Sequence, residues 1–158
     1  MGAGVIFRCH HCKYFFEHYE GIGMRYSEIS KEMKEAVMEG EMGEELQSFL
    51  KDHPSGCLDY GKSLYACPDC GTLCNEPSLD MYIADESAKD PDPLSDALAE
   101  LSGTKLPMGV PYYSVLFRKY VHRCPECNQI MNHISMDGSV PCPRCREIMD
   151  NTEWFIWD

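Results

Sequence analysis

Apolar residues recur at helical spacing in one part of the chain. Four apolar residues, with charged residues between them, would share one face of a helix: Ile29, Met33, Ala36 and Val37. This spacing predicts an amphipathic helix over residues 27–39, with Ser27 as the N-cap and Gly40 at its end. A second helix is predicted over residues 43–51, because apolar residues again fall on one side before a Pro-containing stop.

Alternating apolar and polar residues predict strands elsewhere. The longest such run covers residues 112–123 and reads as a half-buried strand whose buried face carries Tyr113, Val115, Phe117 and Val121. Shorter runs predict strands around residues 5–8, 14–16, 79–83 and 130–134. Residues 153–158, with four consecutive apolar side chains, predict a last strand, which we expect to pair with residues 112–123. Together these elements predict an α+β fold.

Four Cys-x-x-Cys pairs lie between these elements, and we call each pair a knuckle. They are the first (Cys9, Cys12), second (Cys67, Cys70), third (Cys124, Cys127) and fourth (Cys142, Cys145) knuckle. Two thiolates at this spacing can grip one cation, and two knuckles complete a tetrahedral set of four sulfur atoms, which Zn²⁺ favours. Fourteen residues separate the third and fourth knuckles, close to a common four-cysteine zinc pattern. The sequence therefore predicts two metal ions per chain.

The knuckles and their flanking strands resemble the zinc ribbon superfamily, which includes rubredoxin-like folds. The resemblance implies two small antiparallel ribbons. It also implies that the first and second knuckles bind one ion and the third and fourth knuckles another. An aligned Ile6-x-Arg8 and Val121-x-Arg123 before the first and third knuckles suggests an internal repeat, with forty extra residues in the first copy. Zinc is expected in both sites. The rubredoxin-like members imply the alternative of iron in a site, which would make the chain a redox or electron-transfer protein.

Composition suggests how the chain divides. Acidic residues and prolines crowd together in residues 84–111, which read as a linker that contains one short helix with a stripe of leucines around Leu98. The predicted domains are therefore a ribbon with a helical insertion at residues 27–51 (1–83), the linker (84–111) and a C-terminal ribbon (112–158).

The charge of the chain is strongly acidic. The net charge is −12, and all of it falls before residue 105, where 8 basic residues face 20 acidic ones. Such a surface attracts a basic protein partner and repels duplex nucleic acid. No secretory signal and no long apolar run is found, so we expect a cytoplasmic protein that makes no use of a membrane, in keeping with its many reduced cysteines.

The sequence leaves several functional assignments open. Nucleic acid could contact a basic set in the C-terminal ribbon, next to tyrosines that can stack on bases: Arg118, Lys119, Arg123, Arg144 and Arg146. Cys57 and Cys74 are read as buried free thiols, with a redox pair or a ligand role for Cys74 as alternatives. His10 or His11 could replace a cysteine ligand, and His18 is expected at the surface. No nucleophile–base set or phosphate loop is present, so the sequence favours a binding protein over an enzyme. The oligomeric state stays open.

Overall fold

The computed structural model describes residues 2–85, 106–107, 109–111, 113–135 and 139–157. These residues form an α+β arrangement in which every strand pairing is antiparallel. In chain order the elements are β1 (Gly2–Arg8), β2 (Phe15–Glu20), α1 (Tyr26–Glu39), α2 (Glu44–Asp52), β3 (Cys57–Leu58), β4 (Lys62–Ala66), β5 (Leu73–Pro77), β6 (Met81–Ala84), β7 (Ser114–Arg118), β8 (Asn132–Ile134), β9 (Val140–Pro141) and β10 (Ile148–Trp157).

The chain forms two compact units that are not consecutive in sequence. Unit 1 combines Met1–Arg25, Gly61–Ser78 and Val121–Asp158, and unit 2 combines Tyr26–Tyr60 with Leu79–Tyr120. This division differs from the consecutive boundaries expected at residues 83 and 111, because unit 1 gathers three segments from the start, middle and end of the chain. Most of the predicted linker, including its short helix, lies outside the described residues.

Unit 1 contains two sheets and all four knuckles. One sheet has the strand order β2-β1-β10-β9 and the other has the order β5-β4-β8. A core of buried side chains lies in this unit: Val5, Phe7, Cys9, Leu64, Val140, Cys142 and Met149. The unit therefore buries the first cysteine of the first and fourth knuckles together with the apolar residues of both sheets.

The C-terminal strand β10 pairs with β1, from Gly2 opposite Trp157 to Arg8 opposite Asp150. The expected pairing with residues 112–123 is therefore wrong. Aromatic rings pack directly over the β1 glycines, since a Cβ built at Gly2 would lie 2.3 Å from Trp157 Nε1. The indole N–H of Trp157 also donates to the carbonyl oxygen of Ala3 at 3.0 Å. The glycines of β1 provide the room that the aromatic residues of β10 need.

Unit 2 holds the helices and a three-stranded sheet of order β3-β6-β7. The predicted helices are confirmed within a residue or two, although α1 begins at Tyr26 and so places Ser27 inside its first turn. Gly40, at φ 87°, ends α1 as predicted. Its N–H bonds to the carbonyl of Val37 at 3.0 Å, and the next N–H, from Glu41, bonds to that of Ala36 at 3.0 Å, which is a Schellman motif.

The predicted strand over residues 112–123 is shorter in the structure and has no face that is buried along its length. β7 covers only Ser114–Arg118, and of its five residues Ser114 alone is buried, whereas Val115 and Phe117 are exposed. The half-buried strand expected from the alternation of apolar residues is therefore wrong in its length and in its buried face. Among the residues that the structure describes, no helix has the length and apolar character needed to span a membrane.

Candidate metal centres

Each knuckle is the turn of a tight hairpin with the same hydrogen bonds. The N–H of the first cysteine donates to the carbonyl oxygen five residues later, and the N–H four residues after that cysteine donates back to its carbonyl oxygen. In the first knuckle these bonds are Cys9 to Tyr14 at 2.8 Å and Lys13 to Cys9 at 3.0 Å, and the other three knuckles repeat both at 2.8–3.0 Å. The four turns are therefore built alike, although their sequences differ.

The residue after each second cysteine adopts a left-handed backbone. Gly71 has φ 80°, and non-glycine residues hold the same conformation in the other knuckles: Lys13 (φ 62°), Asn128 (φ 62°) and Arg146 (φ 66°). A side chain in this region costs on the order of 1 kcal/mol, so the turn imposes its geometry even where glycine is absent. The N–H groups inside the turn point toward sulfur, as the Cys12 N–H does toward Cys9 Sγ at 3.5 Å.

The structure brings the eight knuckle cysteines into two groups of four, each of which can hold a metal ion. The outer site combines the first and fourth knuckles, Cys9, Cys12, Cys142 and Cys145. The inner site combines the second and third knuckles, Cys67, Cys70, Cys124 and Cys127. The pairing of first with second and third with fourth, which the ribbon resemblance implied, is therefore wrong. The two sites are nested in the sequence and both lie in unit 1.

The strands around the two sites pair in the same register. In the outer site Arg8, just before the first knuckle, pairs with Asp150, five residues after the fourth knuckle. In the inner site Ala66, just before the second knuckle, pairs with Asn132, five residues after the third. The structural repeat therefore relates the first knuckle to the second and the fourth to the third. The sequence alignment suggested instead a repeat that relates the first knuckle to the third and the second knuckle to the fourth. The register of the strands does not follow that repeat.

The sulfur positions fit a tetrahedral ion. In the outer site Cys9 and Cys145 have sulfur atoms 3.4 Å apart, and those of Cys12 and Cys142 lie 3.5 Å apart. In the inner site the sulfur distances are 3.4 Å, 3.4 Å and 3.7 Å. A metal–sulfur bond of about 2.3 Å requires tetrahedral edges of about 3.8 Å, whereas a disulfide requires about 2.05 Å. The spacing fits four ligands around one ion.

The electrostatics of the thiols also favour a cation. In the outer site the N–H of Cys12, as the largest cause, lowers the pKa of Cys9 to about 6. The N–H of Glu147 acts to lower the pKa of Cys145, yet burial and the sulfur of Cys9 raise it to about 12. Four sulfur atoms at these distances cannot all carry charge without a compensating ion. A divalent cation resolves this conflict because it stabilises every thiolate at once.

The inner site shows the same contrast between its thiols. The hydroxyl of Thr72, 3.1 Å from Cys70 Sγ, is the largest cause that lowers the pKa of Cys70 to about 6. The N–H of Gln129 acts to lower the pKa of Cys127, but the sulfur of Cys67 and burial raise it to about 12. Both groups of cysteines are therefore set up to bind a cation as thiolates.

The remaining candidate ligands lie outside the two four-cysteine groups. His10 points its Nε2 at Asp150 Oδ2, 2.6 Å away, and neither His10 nor His11 belongs to the outer group. Cys57 and Cys74 are free thiols that form no disulfide with each other, but both are only partly buried, so the expected full burial is wrong. Cys74 packs against the cluster that contains the inner-site residues, and burial, as the largest cause, raises its pKa to about 11.

The basic residues proposed for nucleic acid divide between the two units. Arg118 and Lys119 belong to unit 2, where Arg118 Nη2 lies 3.3 Å from a carboxylate oxygen of Glu45. Arg123 belongs to unit 1 and donates to the carbonyl oxygen of Asn128 at 3.2 Å, inside the third knuckle.

The fourth knuckle carries the other two basic residues. Arg144 lies over the ring of Tyr14, with its Cζ 5.2 Å from the ring centre. Arg146 donates to the carbonyl oxygen of Asp69 at 2.8 Å. Both guanidinium groups therefore make contacts within unit 1, with residues in or next to the first and second knuckles.

Sequence reasoning missed a buried polar cluster in unit 1. His18 is fully buried, contrary to the expected surface position. Its Nε2 lies 2.8 Å from Glu20 Oε2, and its Nδ1 lies 3.1 Å from Asn75 Nδ2. The polar partners come from β2 and β5, strands far apart in sequence, so no local pattern could have revealed them.

Comparisons with protein-family models, with curated proteins and with solved structures found no match to this chain.

Proposed function

We propose that this protein binds two structural zinc ions and acts as a binding or adaptor protein for a basic macromolecular partner, most simply another protein. The observation that carries the metal assignment is the gathering of all eight knuckle cysteines into two groups of four. Zn²⁺ in structural sites is commonly held by four thiolates in a tetrahedral arrangement.

A structural role follows from the number of ligands. Four protein ligands close the coordination of a tetrahedral ion, whereas a catalytic zinc keeps one position for water or substrate. Zinc binding at such sites contributes about 10–16 kcal/mol in small zinc domains. The ions would thus hold together three segments of unit 1 that come from distant parts of the chain.

The acidic helices support a basic partner. Residues 26–52 contain eight acidic and three basic side chains, a net charge of −5, and all eight acidic side chains are exposed. They form one connected stretch of unit 2, α1 followed by α2. A surface of one charge attracts a partner of the opposite charge over about a Debye length, roughly 8 Å at physiological salt.

Metal content is the first test. Protein purified without added metal is expected to contain two zinc ions per chain, measured by elemental analysis, and to be colourless. Iron in either site would give the visible absorption of an iron–thiolate centre and would favour the rubredoxin-like alternative. A chain that contains no metal and keeps its fold in a strong chelator would contradict the metal assignment.

The partner is tested on the zinc-loaded protein with a lysine-rich peptide as the probe. Binding is expected to weaken as salt rises and to be lost when Glu32, Glu35 and Glu39 are all changed to glutamine. The control changes exposed acids of unit 1, Glu126→Gln with Glu147→Gln, and should leave binding intact. Equal loss in both variants would show that only net charge matters and would contradict a helical partner site.

A nucleic acid partner is measured in the same assay with single-stranded oligonucleotides. The use of Arg123, Arg144 and Arg146 in contacts within unit 1 and the net charge of −12 favour the protein partner. Tight, salt-dependent binding of an oligonucleotide would reverse this preference.

A further inference from the structure

One side chain of unit 1 connects the two metal sites. Arg146 directly follows Cys145, a ligand of the outer site, and occupies the left-handed position of the fourth knuckle. Its Nη2 donates to the carbonyl oxygen of Asp69 at 2.8 Å. Asp69 lies between Cys67 and Cys70, so this bond ends inside the second knuckle of the inner site.

The guanidinium also packs on the backbone of that knuckle. A Cβ built at Gly71 would lie 2.6 Å from Nη1 of Arg146 and 2.9 Å from its Cζ. Gly71 is the residue after the second cysteine of its knuckle, where the other three knuckles have larger residues. The second knuckle thus has glycine at the position where Arg146 comes into contact with it.

The charges favour the same contact. A divalent cation with four thiolates carries a net charge of about −2, so both filled sites are anionic and would repel each other. A guanidinium that begins in one site and ends on the backbone of the other places a positive charge beside both. Its hydrogen bond forms only when both knuckles hold their shape.

We propose that Arg146 couples the two metal sites, so that filling one site raises the affinity of the other. This inference rests on the proposed zinc binding. A metal in the outer site orders the fourth knuckle and thereby holds the guanidinium on the second knuckle. By linkage, a metal in the inner site orders the acceptor carbonyl and raises the metal affinity of the outer site by the same factor. A coupling of about tenfold is ordinary for such contacts.

The nested order of the knuckles makes a separate contribution. In the sequence 129 residues separate Cys12 from Cys142. If the inner site closes first, that loop shortens to about 70 residues, and the lower cost of loop closure raises the metal affinity of the outer site about two- to threefold. This contribution does not involve Arg146, so a matched pair of variants can separate the two.

The test measures stepwise zinc binding to the full chain by native mass spectrometry in a chelator buffer. The ratio of the second to the first binding constant is expected to fall about tenfold in Arg146→Gly. The control is Lys13→Gly, which changes the same left-handed position of the first knuckle. Within the described part of the chain, the side chain of Lys13 bonds locally, to the carbonyl oxygen of His10 at 2.9 Å. The ratio of binding constants in Lys13→Gly should therefore match that of the natural chain.

A second variant guards against effects of glycine itself. Arg146→Asn keeps a residue that tolerates the left-handed backbone but is too short to reach Asp69, and it should lower the ratio as Arg146→Gly does. An unchanged ratio in both Arg146 variants would overturn the coupling while leaving two zinc sites. A natural chain that binds no zinc would instead overturn the proposed function.

Discussion

The sulfur atoms of Cys12 and Cys142 lie 3.5 Å apart, although 129 residues separate them in the chain. This proximity joins the first hairpin of the protein to its last one. It is supported by the pairing of β1 with β10 over seven residue pairs. An ion in the outer site would therefore cross-link two segments that lie near opposite ends of the described sequence.

The nested pairing of knuckles, first with fourth and second with third, makes a prediction that distinguishes it from the pairing expected from sequence. Removing two cysteines of one site leaves the other site complete. The variant Cys12→Ala with Cys142→Ala should therefore retain one zinc ion per chain. The variant Cys12→Ala with Cys67→Ala damages both sites and should retain none after washing with a chelator of moderate affinity. Elemental analysis measures both, with zinc supplied in excess beforehand.

The same two variants give reversed results under the alternative pairing. If the first and second knuckles shared an ion, the Cys12 and Cys67 double variant would keep one zinc and the Cys12 and Cys142 double variant would lose both. Circular dichroism checks that each variant still contains its helices.

The knuckles were predictable because their signal is local, whereas their pairing was not. Two cysteines three positions apart identify a turn that holds two thiolates, and all eight were found this way. Which knuckles meet depends on β1 pairing with β10 across almost the whole chain. The resemblance to zinc ribbons implied ions shared by knuckles that are neighbours in sequence, and this led to the wrong pairing of Cys12 with Cys67.

A similar limit applied to the strands and the polar core. Helices α1 and α2 were found because their apolar residues recur within a few turns. The buried face predicted for β7 was wrong because the alternation of Val115 and Phe117 indicates a strand without indicating whether other elements cover either side of it. The burial of His18 depends on Asn75, 57 positions away, so its short-range sequence looked like an exposed strand.

Asn75 should be among the most sensitive polar residues of unit 1. Its side chain accepts from the N–H of Tyr19 at 3.0 Å and donates to the carbonyl oxygen of the same residue at 2.8 Å. It also lies beside the buried ring of His18. Asn75→Ala leaves these partners without their bonds and is expected to lower the free energy of unfolding by about 2–3 kcal/mol. Urea unfolding of the zinc-loaded protein measures the loss.

The control for this variant is Asn151→Ala, an exposed position of β10, which should change stability by no more than about 0.5 kcal/mol. Equal effects at Asn75 and Asn151 would show that the Asn75 side chain does not hold β2 to the second sheet.

The fit of β10 on β1 depends on the absence of a side chain at Gly4. A Cβ there would lie 2.3 Å from two carbon atoms of the Phe155 ring. Gly4→Ala is therefore expected to destabilise unit 1 by about 1–3 kcal/mol. Adding Phe155→Ala to Gly4→Ala should cost less than Phe155→Ala costs in the natural chain, because in the Gly4→Ala background the loss of the ring also relieves the clash. A double-mutant cycle in urea measures this difference, and strictly additive effects would contradict the contact.

Tyr60 gives unit 2 a dependence on alkaline pH. Burial, as the largest cause, and the charge of Cys57 raise the pKa of Tyr60 to about 12. In the unfolded chain a tyrosine titrates near pH 10, so between about pH 10 and pH 12 the unfolded state binds fewer protons than the folded state. The stability from this residue is complete below pH 10 and is lost as the pH rises toward 12. Tyr60→Phe should therefore make the loss of stability above pH 10 less steep.

Circular dichroism at 222 nm measures this loss during urea unfolding at a series of pH values, since both described helices lie in unit 2. Tyr26→Phe is the matched control, because Tyr26 is 45% exposed and its replacement should leave the slope above pH 10 unchanged. A slope that stays the same in Tyr60→Phe would show that the hydroxyl of Tyr60 reaches water in the folded protein. The comparison therefore tests the burial of Tyr60 in the folded state, which depends on the packing of the helical unit.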